Sequence, residues 1–280
     1  MNRVVIFANT TKAEVIPVAD SMVSYLSSRG EKVVIVALSA TDRDRDVIVP
    51  DADVAVSLGG DGTVLNCINL LKGRNIPLIP VKVGTFGYIT DTQASEFSSV
   101  YEAYLENRAA IQKRLMLDVS VVRNNREIFT TSALNEIALT ASTRARMAAI
   151  RLFVDNVRAA DLKGDGIIIA SPTGSTAYSL AAGGPVLDSG LSAIIINPIC
   201  PFTMSIRPLV VGSEKEIRIE IPPQNAALSI TADGHIGFDI RENDIIIVKK
   251  SCHEALLVEN PERSFIELLR DKLGWAGGLN

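Results

Sequence analysis

Strand-like and helix-like segments alternate along this chain up to about residue 93, and then the alternation stops. Residues 3–8, Arg-Val-Val-Ile-Phe-Ala, form an apolar run that predicts a buried strand. Val15, Ala19, Met22, Val23 and Leu26 follow at spacings of three and four, the period of one helix face. Pro17 fits only a first turn, so that helix should begin near it, and Gly30 should end it. Residues 32–36 predict a second strand, 53–58 a third, 64–71 a helix and 78–81 a fourth strand. Such alternation predicts parallel strands with helices on both faces, a Rossmann-like α/β domain.

Beyond residue 93 the periods change. Residues 95–108 read as one connecting helix. Short runs rich in Ile, Val and Thr then dominate, at 117–122, 128–131, 136–141, 150–154, 167–170, 193–197, 217–221, 228–231 and 245–248. Gly, Asn, Asp and Pro separate them, which predicts a β-rich second domain. The end turns helical again. Asn260 suits a cap, Pro261 a first turn, and Phe265, Ile266, Leu268, Leu269 and Leu273 an apolar face that Gly274 closes.

Composition narrows the function. The net charge is −4 and only 5% of residues are aromatic, which argues against a nucleic-acid partner. The three cysteines, Cys67, Cys200 and Cys252, are odd in number and far apart. They fit neither a disulfide framework nor metal-ligand spacing, and read as buried thiols of a reducing compartment. The apolar run at 4–8 is too short for a signal peptide, and no run nears the roughly 18 residues of a membrane span. A cytoplasmic chain without a membrane partner is expected.

Two glycine turns carry the chemistry. The first is Gly59-Gly60-Asp61-Gly62-Thr63, between the third predicted strand and the helix after it. Open α/β sheets bind ligands at such strand ends, and glycines beside a helix start let a backbone approach phosphate. Asp61 is the anomaly, since a carboxylate repels phosphate. It could hold a magnesium ion, accept a proton from an attacking hydroxyl, or supply turn geometry alone. The second is Pro172-Thr173-Gly174-Ser175-Thr176-Ala177-Tyr178-Ser179, preceded by Asp165-Gly166 and followed by Gly183-Gly184-Pro185. Its hydroxyls and amides can bond phosphate, ribose or base. Asn135-Glu136 carries meaning only in this company.

In this combination and order the chain resembles the NAD kinase family. The matching pieces are Gly-Gly-Asp-Gly-Thr at 59–63, GTFGYITD at 84–91, Asn135-Glu136, DGIIIASPTGSTAYSLAAGGPVLD at 165–188, RPLVV at 207–211, Asp233-Gly234 and KLGW at 272–275. Lys82 departs from the family's usual Asn or His, and Tyr88 from its usual Phe. The resemblance implies an α/β domain of residues 1–93 and 260–280, with a β-rich NAD-binding domain, 94–259, inserted before the returning helix. It implies phosphoryl transfer from ATP or polyphosphate to the 2′-hydroxyl of the adenosine ribose of NAD, giving NADP. A divalent cation, usually magnesium, and a homodimer or homotetramer go with it; the metal's ligands are not implied.

The same resemblance assigns roles. Asp61 becomes the proton acceptor, with Gly62 sharing the NAD contact and Gly59, Gly60 and Thr63 completing the phosphate turn. Asn135 and Glu136 match the pair that binds adenosine. Arg146, Lys163, Asp165 and His235 match further NAD contacts, Asp165 at the nicotinamide amide. Thr176, Ala177, Tyr178, Ser179, Leu180 and Ala181 form the loop around the dinucleotide. Neighbouring Arg144 could replace Arg146, His235 could be a plain surface residue, and Tyr88 could stack on adenine or fill the core. A diacylglycerol-type lipid kinase shares the first glycine turn but is not expected to carry the second. A non-catalytic NAD(P) sensor is the remaining alternative.

Overall fold

The computed structural model describes residues 1–38, 47–84, 87–142 and 147–274. Two units are distinct, Met1–Lys113 with Ala255–Asn280, and Arg114–Glu254. In the first, the chain runs β1 (Arg3–Asn9), α1 (Val15–Ser28), β2 (Lys32–Leu38), β3 (Val54–Gly59), α2 (Asp61–Leu71), β4 (Leu78–Lys82), β5 (Thr92–Gln93) and α3 (Phe97–Leu105). The strands lie in the order β2-β1-β3-β4, all parallel, and β5 pairs in parallel with the end of β4. Every residue of β3 is buried, the mark of a parallel strand covered on both faces.

Three expectations shift here. Helix α2 begins at Asp61 rather than at 64, with Gly60 as its extended N-cap. Asp61 thus sits at the positive end of the helix dipole, which favours a carboxylate. Residues 94–113 also stay with the first unit instead of opening the second. Phe97, Val100 and Tyr101 of α3 are buried in one core with Val4, Ile6 and Leu26, and that apolar area outweighs the change in sequence rhythm. The single helix expected at 95–108 is a 3₁₀ turn, Ala94–Glu96, followed by α3.

The second unit runs β6 (Ile111–Arg123), β7 (Arg126–Ala133), β8 (Glu136–Ala141), β9 (Ala148–Val154), β10 (Val157–Gly164), β11 (Gly166–Ala170), α4 (Tyr178–Ala181), β12 (Ala193–Ile199), β13 (Leu209–Gly212), β14 (Ile217–Glu220), β15 (Leu228–Ala232), β16 (Ile236–Ile240) and β17 (Ile245–Val258). One antiparallel sheet has the order β13-β12-β11-β8-β15-β16. Strands β10, β9, β14 and β17 form an antiparallel row, and β6 and β7 a hairpin. The core alternates residue by residue: Ile137 and Leu139, Ile167 and Ile169, Ile194 and Ile196 face Ile150 and Leu152, Ile217 and Ile219, Ile246 and Val248. That period of two is how stacked sheets share one core.

Strand β17 crosses into the first unit, where Leu257 pairs with Leu78 of β4 in parallel. Helix α5 (Phe265–Leu273) follows, and its N-cap is Ser264, not Asn260. The Ser264 hydroxyl accepts the Glu267 N–H, and the Glu267 carboxylate accepts the Ser264 N–H. This reciprocal capping box outcompetes the Asn-Pro start, leaving Pro261 ahead of the helix. Asn260 instead closes a short turn by accepting the Glu262 N–H. Gly274 ends α5 in the left-handed region, as its lack of a side chain permits. The expected apolar face is narrower than its sequence: Leu269 is buried, whereas Ile266 is 66% exposed. Of the three thiols expected to be buried, only Cys67 is; Cys200 is exposed in the turn after β12, at φ 45°, and Cys252 at an outward position of β17.

Candidate functional site

Asp61 is half-buried where β3 gives way to α2, and its carboxylate is clasped by the segment after β4. Oδ2 accepts the Tyr88 N–H at 2.5 Å. Oδ1 accepts the Ile89 N–H at 3.2 Å, the Thr90 N–H at 3.0 Å and the Thr90 hydroxyl at 3.0 Å. A carboxylate offers about four acceptor directions, two on each oxygen. Oδ1 is therefore fully committed, and Oδ2 retains one direction for an incoming hydroxyl. Gly87 makes the clasp possible, because a Cβ there would lie 1.7 Å from Oδ1. Of the rest of the turn, Gly59 packs so closely on buried Thr63 that a Cβ would lie 2.2 Å from Thr63 Oγ1. Asn9 Nδ2 donates to that hydroxyl at 3.4 Å. Gly60 and Gly62 look into open space.

A second constellation lies in the second unit. Asn135 and Glu136 are buried at the start of β8. Asp233 holds them: one carboxylate oxygen accepts the Asn135 and Glu136 N–H groups at 2.7 and 3.2 Å, the other the Leu134 N–H at 2.9 Å. Asp233 itself has φ 50°, followed by Gly234 at φ 69°, so the chain turns tightly to present it. Among the described residues, Asn135 Oδ1 and Glu136 Oε2 are buried without a hydrogen-bond partner. Burial and then the negative charge of Asp233 push the Glu136 carboxyl up to about 7, against one N–H from Tyr178. Burial likewise raises Asp233, opposed by its three N–H donors.

The hydroxyl-rich loop rests on this pair. Residues Thr173–Thr176 form a 3₁₀ turn that leads into α4. A Cβ on Gly174 would lie 2.1 Å from the Asn135 carbonyl oxygen, so only glycine lets the two backbones meet. Most of the hydroxyls expected to face a ligand instead hold the loop. Ser171 donates to the Leu134 carbonyl, Ser175 accepts the Leu187 N–H, and buried Ser179 accepts from Asn197 Nδ2. Thr176 donates to the Thr173 carbonyl. Within this loop, Thr173 Oγ1 is a buried hydroxyl without a partner among the described residues. Ala177 and Leu180 are half-buried, while Tyr178 and Ala181 are exposed on the loop's outer side.

The remaining candidates divide. Lys163 and Asp165 flank Gly164 at the β10–β11 corner, both exposed. His235 is exposed beside Gly234. Arg146 and its neighbour Arg144 lie outside the described residues, as do Thr85, Phe86 and Trp275 of the quoted motifs. Three contributors had no role in the sequence reading: Thr90, Gly87 and Asp233. All three sat inside recognised motifs, but their function is a contact made far along the chain.

Comparison with known proteins bears on the whole length. The family model of the ATP-NAD kinase N-terminal domain matches residues 39–109, and that of the C-terminal domain matches residues 134–260. The NAD kinase of Caldanaerobacter subterraneus subsp. tengcongensis is 37% identical over 280 residues, covering 98% of this chain and 99% of the relative. That of Geobacter sulfurreducens is 34% identical, with coverage of 98% and 99%. Among solved structures, yeast NADH kinase complexed with NADH has the same fold, at TM-score 0.89 and 24% identity, covering 100% of this chain and 89% of that one. An NAD kinase from Archaeoglobus fulgidus in complex with ATP superposes at TM-score 0.73 with 26% identity, covering 98% of each chain. With relatives matched from end to end at more than a third identity, the chain belongs to the NAD kinase family.

Proposed function

We infer that this protein transfers the terminal phosphoryl group of ATP to the 2′-hydroxyl of the adenosine ribose of NAD, giving NADP and ADP. The observation that carries the chemistry is the single open acceptor direction on Asp61 Oδ2, at the C-terminal end of a parallel strand. The 2′-hydroxyl donates there. As its oxygen attacks the γ-phosphorus, the proton passes to Asp61 and the bond to the β-phosphate oxygen breaks. The open sides of Gly60 and Gly62 allow phosphate oxygens close to the backbone at the start of α2.

Glu136 Oε2 and Asn135 Oδ1 are buried acceptors without partners among the described residues, which suits ribose hydroxyls and the adenine amino group. By family resemblance, Thr176–Ala181, Lys163 and His235 contact the dinucleotide, and Asp165 meets the nicotinamide amide. A magnesium ion carried by the ATP phosphates would neutralise charge on the transferring group. No group of three or more candidate ligands occurs among the described residues, which fits a cation carried mainly by donor phosphates. Polyphosphate is a second donor of the same chemistry.

No helix among the described residues is long and apolar enough to cross a membrane. We place the protein in the cytoplasm as a homodimer or homotetramer. Phe202 and Met204, 73% and 82% exposed ahead of the edge strand β13, are apolar area suited to burial between copies. Incubating the purified protein with NAD, ATP and magnesium, and detecting NADP with an NADP-specific dehydrogenase, tests the activity. NAD binding without NADP from any donor would make the protein a sensor. Phosphate on diacylglycerol in place of NAD would make it a lipid kinase.

A further inference from the structure

Helix α5 and the segment after β4 enclose a cleft of about 710 Å³ within the first unit, lined by Tyr88, Gln93, Arg263, Leu268, Arg270 and Lys272, among others. That volume falls among pockets that hold small ligands. Its charged groups are mostly occupied. Arg263 pairs with Glu96 at 2.8 Å, Arg270 lies 3.4 Å from Asp271, and Glu267 serves the capping box. Lys272 differs. Its Nζ is buried and accepted by no oxygen among the described residues. It sits 4.4 Å from the centroid of the Tyr88 ring. A cation–π contact returns only part of what removing an ammonium from water costs, so this cation is suited to an anion that the described residues do not supply.

Its position says which anion. The Tyr88 N–H is the one that binds Asp61 Oδ2, the oxygen left open for the attacking hydroxyl. Burial lowers the pKa of Lys272, and the group is near enough that the charges of Asp61, Lys82 and Asp91 also bear on it, the carboxylates raising it and Lys82 lowering it. A phosphorus attacked by a hydroxyl on Asp61 must lie next to that carboxylate. We propose that Lys272, set over Tyr88 by helix α5, binds the terminal phosphates of the phosphoryl donor, so that the C-terminal helix is part of the donor site. This rests on the kinase reading above, and it makes Tyr88 a platform for the lysine rather than a partner for adenine.

The shared chemistry is phosphate, which NAD also carries in its pyrophosphate, so the test must separate donor from acceptor. Lys272→Met keeps the stem and removes the charge. Steady-state kinetics should show kcat/KM for ATP falling about tenfold or more, while the Kd for NAD stays within about twofold. Lys272→Arg should recover most of the loss, which a merely structural role would not require. Calorimetric titration with MgATP in the absence of NAD should show the same weakening, and it reads donor binding even if the wild type makes no NADP. That last result would sink the kinase reading while leaving the donor site measurable. An unchanged kcat/KM for ATP with unchanged MgATP affinity overturns the proposal, as does a shift confined to NAD. If Lys272→Met melts early, Lys272→Gln and the arginine variant decide by the same readouts.

Discussion

Asp61 takes hydrogen bonds from three backbone N–H groups and a hydroxyl, on a half-buried turn. Glu136 is buried more deeply, receives a single N–H, and leaves Oε2 bare beside the like charge of Asp233. The functional group is the same and the supply of donors is opposite. Asp61 is fixed before substrate arrives, so its open direction is a matter of position. Glu136 is starved, and a hydroxyl donor from outside is what completes it. A reacting group needs the first arrangement, because misplacement is costly to rate. A group that reports binding can live with the second.

The harshest test of that division is Asp61→Asn. The amide oxygen can take the place of Oδ1, but its NH₂ then faces the Tyr88 N–H, donor against donor. Turnover should fall about 10²–10⁴-fold, the usual worth of a positioned base. The Kd for NAD, measured by calorimetry, should change only a few-fold. Near-normal kcat would mean that Asp61 does not take the proton, and the contrast with Glu136 would lose its point.

Asp233→Ala attacks the other pole. It strips three buried N–H groups of their acceptor at once. Each such orphan costs about 1–3 kcal/mol, so stability should drop by at least about 3 kcal/mol in urea unfolding. Residual folded protein should bind NAD poorly, because Asn135 and Glu136 lose their anchor. Asp233→Asn keeps one acceptor oxygen and should recover part of both. A stable alanine variant with normal NAD affinity would show that the Asn-Glu pair holds its own shape.

Why was one pole readable in the sequence and the other not? The turn at 59–63 announces itself, since glycines between a strand and a helix report local backbone geometry. The alternation before residue 93 gave the parallel sheet for the same reason. The Asp61 clasp spans 27 to 29 residues, and the Asp233 anchor 97 to 99. Neither leaves a periodic trace. Strand β10 escaped because most of its residues are exposed and its hairpin turn, Asp155-Asn156, looks like an ordinary loop. The inward hydroxyls of Ser175 and Ser179 were equally invisible: a serine that holds a loop reads like one that holds a ligand.

Glu136 also supplies a pH test. Its carboxyl stands at about 7 in the fold, against 4.5 for an unperturbed one. Between these values the folded chain keeps a proton that the unfolded chain has lost. Stability should therefore fall as pH rises across that window, by roughly 3 kcal/mol at most. Ribose hydroxyls favour the carboxylate, so NAD binding should release a proton near pH 7. The affinity should improve about tenfold from about pH 6 to pH 8 and then level off. Calorimetry in two buffers of different ionisation enthalpy reads the proton directly. Glu136→Gln should abolish both effects, and no proton release in the wild type would mean that Glu136 does not meet the ribose.

The finest probe is Thr90→Val. Thr90 is 1% exposed and its hydroxyl bonds Asp61 Oδ1 at 3.0 Å, while its N–H bonds the same oxygen independently. Valine preserves the shape and the N–H and deletes one of the four donors. A hydrogen bond to a charged group is worth about 1.5–3 kcal/mol in isolation, but three donors remain to hold the carboxylate. The expected outcome is a kcat reduced only a few-fold, an unchanged Kd for NAD, and recovery in Thr90→Ser. Those numbers would show that the clasp positions Asp61 by shared load. A loss as large as that of Asp61→Asn would show instead that the hydroxyl alone sets the orientation, because the backbone donors would then be insufficient to aim Oδ2. No loss at all would mean that three N–H groups already fix the carboxylate, and that its readiness comes from the backbone of residues 88–90.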